Sequence, residues 1–407
     1  FAIQILFYGV GGTITAILNA HRVFFIPSVV PALNNVVVII SFIVYSVLQG
    51  SNPELALIIL AVGTSLGVLV QFAVQIPALF RCGFKWKLEI HIRDKALLDA
   101  LKIALPTIIY IAGTMVAFSF RNAFSLEVTD KGPSMLAYAW IWFQLPHGII
   151  AVSISRSMFT EMSIAFAKNN KERLVRLISS GISKTLSYIT PFAMLLALLS
   201  TSFMRLFAIG AFTENDSIMI SFILIAWAFC LPLYSLLMHL YKIDASVRKF
   251  STFTIIATAM VALQCLLYWA LTALLKAVLS SNGAGPDTTN LAIISIPIAD
   301  FVYYGLSSLI LVLLLMKYYG NLGILRIIWS YLRVLLATAI AGFILYQNTN
   351  FIPVIDNNIL TSFIRLIVYG GIGLCITVAL CLLFRVPDYL EAWRIVIGFI
   401  KKKLGKA

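Results

Sequence analysis

The sequence predicts an all-α polytopic membrane protein with about eleven transmembrane helices. Three observations lead there. Hydrophobic residues make up 61% of the 407 and charged residues only 11%, whereas soluble domains sit near half apolar and about a quarter charged. The apolar residues gather into runs of about 20 or more, the helix length that crosses a hydrocarbon core. Lys and Arg collect in alternate connections between those runs, as the positive-inside rule requires.

The expected spans run in order. The first, 1–20, ends at the corner "ILNAHRVFFIPSVVPALNN". The second, 29–48, starts behind Pro27 and Pro31, which fit a first helical turn, where a missing N–H costs little. The third, 56–80, carries "GTSLG", and the fourth, 98–124, carries Arg121. The fifth, 135–163, holds Pro146 and Gly148, whose position permits a bend. The remaining spans are 177–204, 217–241, 250–275, 290–316, 323–346 and 361–384. A basic amphipathic tail, "PDYLEAWRIVIGFIKKKLGKA", follows.

Basic residues follow the odd-numbered spans. They include Arg22; Arg81, Lys85, Lys87 and Arg93; Lys168, Lys171, Arg173 and Arg176; Lys242, Arg248 and Lys249; Lys317 and Arg326; and the tail's Lys401, Lys402, Lys403 and Lys406. The other connections are acidic, with Glu54, Glu127, Asp130, Glu214, Asp216, Asp287 and Asp356. The net charge of +14 is therefore read as basic cytoplasmic loops facing anionic lipid, not as a nucleic-acid surface. The first span runs from outside to inside and the C-terminus is cytoplasmic. Phe1 lies inside an apolar run with no charged n-region before it, so the start is not a signal peptide. An odd number of spans with an outside start leads to the expectation that further spans precede Phe1 in a longer protein.

Several motifs carry no chemistry. "GTSLG" (63–67) matches a G-x-S-x-G nucleophile elbow, but that motif needs a strand-to-helix turn. In a membrane helix the same residues read as G-x-x-x-G, a close-packing face. His21, His91, His147 and His239 lack metal-ligand spacing. The five cysteines form no C-x-x-C pair and read as small apolar residues in helices. There is no P-loop or dinucleotide motif, so neither ATP-driven transport nor a cofactor or metal is expected, and the protein is not expected to be an enzyme.

Ionisable groups inside spans are costly and mark functional candidates. Arg121 could line a cavity for an anionic substrate. Gln144, His147, Ser155 and Glu161 fall on one stripe at about 100° per residue, as if lining a water-filled lumen. Asp300, Tyr303, Tyr304, Ser307 and Ser308 share one face of the ninth span. Asp300 could bind a cation, accept a proton or pair with Arg121.

Taken in order, three stretches resemble the MurJ (MviN) family of lipid II flippases in the MOP flippase superfamily. "FYGVGGTITAILNAHRVFFIPSVVPALNN" is similar to that family's corner and Pro-x-x-x-Pro-x-x-x-Asn helix start, through Pro27, Pro31 and Asn35. Tyr138, Ala139, Pro146, Gly148 and Val152 match its Tyr-Ala … Pro-x-Gly … Val helix, and Tyr241 and Asp244 match a later corner that lacks Thr-Pro here. The resemblance implies a two-lobe, fourteen-helix fold, of which this chain would hold helices four to fourteen. Residues 1–96 would be the remainder of the N-lobe with a cytoplasmic linker, 97–317 the six-helix C-lobe, and 318–407 two extra C-terminal helices with the basic tail. It also implies a flippase of the bacterial inner membrane that moves lipid II outward by alternating access for cell-wall synthesis, as a monomer, with membrane lipids and lipid II as its partners. Coupling to a monovalent cation or proton would fit that mechanism.

The chain departs from the family at Trp140 and Ile141, where an Asp-Arg pair is common, and it lacks the first helices that carry most of the family's cavity arginines. Arg121 is then the cationic candidate of this lobe, and Gln144, His147, Ser155, Glu161, Asp300 and Tyr304 complete the substrate-cavity candidates. Other readings are a flippase for another lipid-linked oligosaccharide, a multidrug–cation antiporter, or a non-transporting remnant.

Overall fold

In lipid, apolar burial does not hold helices together, because the tails are as apolar as leucine. Small residues that allow close approach, and polar side chains that bond across helices, must do it instead. A computed structural model describes the chain except residues 1, 22, 24, 86–94, 207–212, 248–249, 282–289, 349–358 and 404–407. Arg22, Lys87, Arg93, Arg248, Lys249, Asp287, Asp356 and Lys406 therefore lie outside the described residues. Every described element is helical. The chain forms two compact units, Phe1–Asp94 and Lys95–Ala407.

The first unit holds α1 (Ile3–Ala20), α2 (Phe25–Leu48), α3 (Pro53–Ala73) and α4 (Ile76–Arg81). Helix α3 starts where Asn52 accepts the Leu55 N–H at 3.2 Å and Pro53 occupies the first position. Helix α2 begins at Phe25, earlier than expected, so Pro31 lies inside it and not in its first turn. That ring removes one backbone bond, which membrane helices tolerate where neighbours satisfy the freed carbonyl. The "GTSLG" stretch is a packing face, as expected. A Cβ on Gly63 would overlap Ser41, and one on Gly67 would overlap Asn34. Ser65 accepts from Gln4 Nε2 at 3.0 Å and donates to the Ala61 carbonyl at 3.0 Å. Thr15 donates to Gln75 Oε1 at 2.7 Å, fixing α1 beside the α3–α4 bend.

The second unit holds α5 (Lys95–Val128), α6 (Gly132–Pro146), a π-helical turn (His147–Ala151), α7 (Val152–Ala167), α8 (Lys171–Leu198) and α9 (Ser200–Arg205). It continues with α10 (Glu214–Val247), α11 (Phe250–Ser281), a 3₁₀ turn (Asn290–Ile294), α12 (Ser295–Tyr319), α13 (Ile324–Gln347), α14 (Ile359–Leu383) and α15 (Pro387–Lys403). Among the described residues, ten helices are long and apolar enough to cross a membrane. The fourth expected span, 98–124, is the 34-residue α5. The hub is α10: α6, α7, α8, α9 and α12 all pack on it. Its Trp227, Cys230, Leu231, Leu237, Leu240 and Ile243 are fully buried. Helix α5 packs on α11, and α13 packs on α8 and α14. At the α8–α10 crossing, a Cβ on Gly181 would strike the His239 ring. The tail helix α15 is clamped at its start. Asp388 Oδ2 accepts from Ser183 and Ser187 at 2.7 and 2.8 Å, and Tyr188 donates to the Asp388 carbonyl at 2.9 Å.

The close approach of α2 and α3 is testable. Gly67→Ala should destabilise the first unit by about 1–3 kcal/mol, the cost of overpacking, and lower the unfolding temperature in detergent. Gly12→Ala, with no atom within 4 Å of its Cβ position, should leave that temperature unchanged.

Candidate functional site

The spacing of Asp300, Tyr303, Tyr304, Ser307 and Ser308 puts all five on the buried face of α12, against α10 and α11. Asp300 is only 1% exposed. Taking a carboxylate out of water costs several kcal/mol unless its lone pairs are met. Here they are met from two helices. Trp227 Nε1 on α10 donates to Oδ2 at 2.8 Å. Gln264 Nε2 and the Tyr268 hydroxyl on α11 donate to Oδ1 at 2.8 and 2.5 Å. The positive charge of Arg121, from α5, also acts on this carboxylate.

Arg121 itself is 9% exposed. Its guanidinium lies over three rings: Phe118 at 4.7 Å, Trp140 at 5.2 Å and Trp227 at 5.8 Å from the centroids. Desolvated cation–π contacts are worth about 2 kcal/mol. Trp140, which stands where the family's Asp-Arg pair begins, thus forms one wall of the arginine's box. The Arg121 Nε has no hydrogen-bond partner among the described residues.

The polar stripe of the fifth span behaves differently from expectation. Gln144, His147 and Ser155 do share a face, but it packs on α10 and does not line a lumen. Gln144 Nε2 donates to the Tyr234 hydroxyl at 3.0 Å. His147 Nδ1 lies 3.0 Å from Ser235 Oγ, and Ser155 Oγ lies 2.9 Å from His239 Nδ1. Tyr304 packs on Tyr234, with ring centroids 5.2 Å apart. Glu161 leaves the stripe and pairs with Arg173 at 2.6 Å on a half-exposed surface, where such pairs contribute about 1 kcal/mol at most. The cause is the π turn after Pro146. It holds one residue more than an α turn, so everything beyond it lags by about 100°, one residue's rotation. That lag brings Ser155 into line with His147 and swings Glu161 out.

The sequence offered Arg121 as one of three alternatives for Asp300, and the structure puts that charge near the carboxylate while neutral donors hold it. Gln144, His147 and Ser155 share the expected face, and Glu161 does not. Sequence reasoning missed Trp227, Gln264 and Tyr268, the donors to Asp300. Gln264 and Tyr268 sit four apart in an apolar run, a polar pair on one helical face, and that was the available signal. A cavity of about 610 Å³ opens elsewhere, beside the Lys131–Asp216 ion pair at the α5–α6 corner. Among the described residues, no group of three or more His, Cys, Asp and Glu could hold a metal.

The family model described as Lipid II flippase MurJ matches residues 1–354. The chain belongs to the MurJ family. It is 29% identical over 216 residues to the probable lipid II flippase MurJ of Buchnera aphidicola subsp. Schizaphis graminum, across 53% of this chain and 41% of that protein. To the probable lipid II flippase MurJ of Borreliella burgdorferi it is 26% identical over 253 residues, across 61% of this chain and 48% of that one. The chain thus spans less than half the length of these MurJ relatives. A solved structure titled "Lipid II flippase MurJ, inward closed conformation" superposes with a TM-score of 0.64 at 23% identity, covering 94% of this chain and 72% of the other. That likeness shows the MurJ fold.

Removing the Asp300 carboxylate should unfold this centre. Asp300→Ala leaves three buried donors and the Arg121 charge uncompensated, at a cost of about 3–5 kcal/mol, read as a large fall in unfolding temperature. Asp300→Asn keeps one acceptor oxygen and should fall by less.

Proposed function

We propose that this chain serves to move lipid II, a lipid-linked peptidoglycan precursor, across the bacterial inner membrane by alternating access. The match of the family model to residues 1–354 carries this reading. We assign 97–317 to one lobe and 1–96 to part of the other, with 318–407 as an accessory pair of helices and a tail. The protein works as a monomer with its C-terminus in the cytoplasm, the side to which the basic loops assign it. Proton or monovalent-cation coupling belongs to the same proposal.

Arg121 is the residue through which this lobe meets the diphosphate. Asp300 is satisfied by neutral donors from α10 and α11, so it does not consume the guanidinium's hydrogen bonds. The Nε is unpartnered and the planar fork is oriented by three rings. A guanidinium fork gives two parallel charge-assisted bonds to phosphate oxygens. Gln144, His147 and Ser155 then act as the seam that holds α6 and α7 to α10, with Tyr304 of α12 packed on the same Tyr234, and not as substrate contacts.

The test is lipid II translocation in cells that depend on the protein. Arg121→Ala should reduce it by about tenfold or more, the loss of at least one charge-assisted bond. Arg121→Lys, which keeps charge but not the fork, should fall between. Wild-type translocation by Arg121→Ala would overturn the assignment. Normal lipid II levels after depletion of the wild-type protein would overturn the function.

A further inference from the structure

At the basic end of the second unit, α8 and α13 part around a cavity of about 350 Å³. Arg176, Ser179 and Ser180 line it from α8, Arg326 and Ser330 from α13, and Asp388 from the head of α15. It shares no residue with the Arg121–Asp300 centre.

Three independent features of this cavity ask for an anion. The first is charge. Among the described residues, neither Arg176 nor Arg326 forms an ion pair. Asp388 is the opposing charge, and its Oδ2 is already taken by Ser183 and Ser187. The second is the start of α13, a 24-residue helix with no side-chain cap and no acidic residue in its first turn. Its N-cap is Gly323, held in the left-handed region at φ 66°. The Gly323 carbonyl takes the Arg326 and Ile327 N–H groups, which leaves those of Ile324 and Leu325. Uncapped N–H groups at the positive end of a helix dipole are a ready anion site. The third is Ser330. Serines and threonines in membrane helices commonly bond back to the carbonyl four residues earlier, as Ser41, Ser65, Thr190 and Thr377 do here. Ser330 does not. It is 5% exposed, lines the cavity, and its Oγ has no partner among the described residues.

We infer that this cavity binds a phosphate group, carried either by the headgroup of an anionic membrane lipid or by a free phosphate. Guanidinium forks, a serine hydroxyl and a helix N-terminus are the donors that phosphate oxygens select. The volume is near the lower limit of ligand pockets, about 300–1,000 Å³. That suits a phosphate with a glycerol-sized attachment and is too small for a sugar–peptide head. On the sidedness proposed above the cavity opens toward the cytoplasmic leaflet, but binding itself does not depend on that assignment.

The experiment titrates the full chain, purified in neutral detergent, with dioctanoyl phosphatidylglycerol and, separately, with inorganic phosphate. Dioctanoylglycerol, which lacks phosphate, serves as control, and native mass spectrometry and calorimetry read the binding. The double variant Arg176→Gln/Arg326→Gln should weaken the phosphate-bearing probe by about tenfold or more, as expected for losing charge-assisted bonds, and Ser330→Ala by several-fold. Dioctanoylglycerol should be insensitive to all three substitutions. Both arginines are exposed, so the unfolding temperature should not change. Binding of the lipid alone assigns a headgroup site, and binding of inorganic phosphate assigns a free-anion site. The inference is overturned if neither probe binds, or if the double variant binds both as tightly as the wild type.

Discussion

A carboxylate buried inside the second unit dictates much of what surrounds it. Asp300 cannot be ionised in that setting without donors, and the donors come from α10 and α11, while a compensating charge comes from α5. One side chain thereby ties four helices at a fixed depth and rotation. Lipid supplies no comparable force, because exposed residues such as Leu325 and Phe25 are as comfortable against acyl chains as against one another. The packing of the unit is specified by its few polar atoms and its close-approach glycines, and the abundant leucines and isoleucines fill the space those leave.

This explains which parts of the molecule could be read from the residues alone. The spans were legible because hydrocarbon thickness sets a length that composition must meet. The close-packing face of α3 was legible, though not its partner α2, because small residues four apart have few other uses in a bilayer. The Asp300 face was legible because a charge in a span stands out against its neighbours. The box around Arg121 was not, since Trp140 and Trp227 arrive from helices remote in sequence and look like ordinary membrane aromatics. Glu161 was misread for a different reason: a 3.6-residue period has no means of announcing a π turn. Residues 1–96 illustrate a further boundary, since family resemblance, not residue chemistry, suggested their place in a larger lobe.

The two sites differ in kind. Arg121 is caged by rings inside the second unit, near a buried acid. Arg176 and Arg326 stand at the basic rim beside an uncapped helix end. The first pair of groups suits a charge met during movement, when helices shift against one another. The second suits a charge held while the α8–α13 pair stays put, with the start of α15 fastened to the same helix through Asp388 and Tyr188.

The π turn after Pro146 also determines what variation this span can absorb. A side-chain replacement in α7 alters one contact. Closing the turn to α geometry at unchanged length would rotate all of α7 by about 100°. Ser155 would then lose His239, and the outer face of the helix would be pressed against α10. A one-residue deletion between His147 and Ala151 closes the turn and keeps the rotation of α7, so it is the length change this span absorbs, whereas an insertion there would turn α7 away from α10.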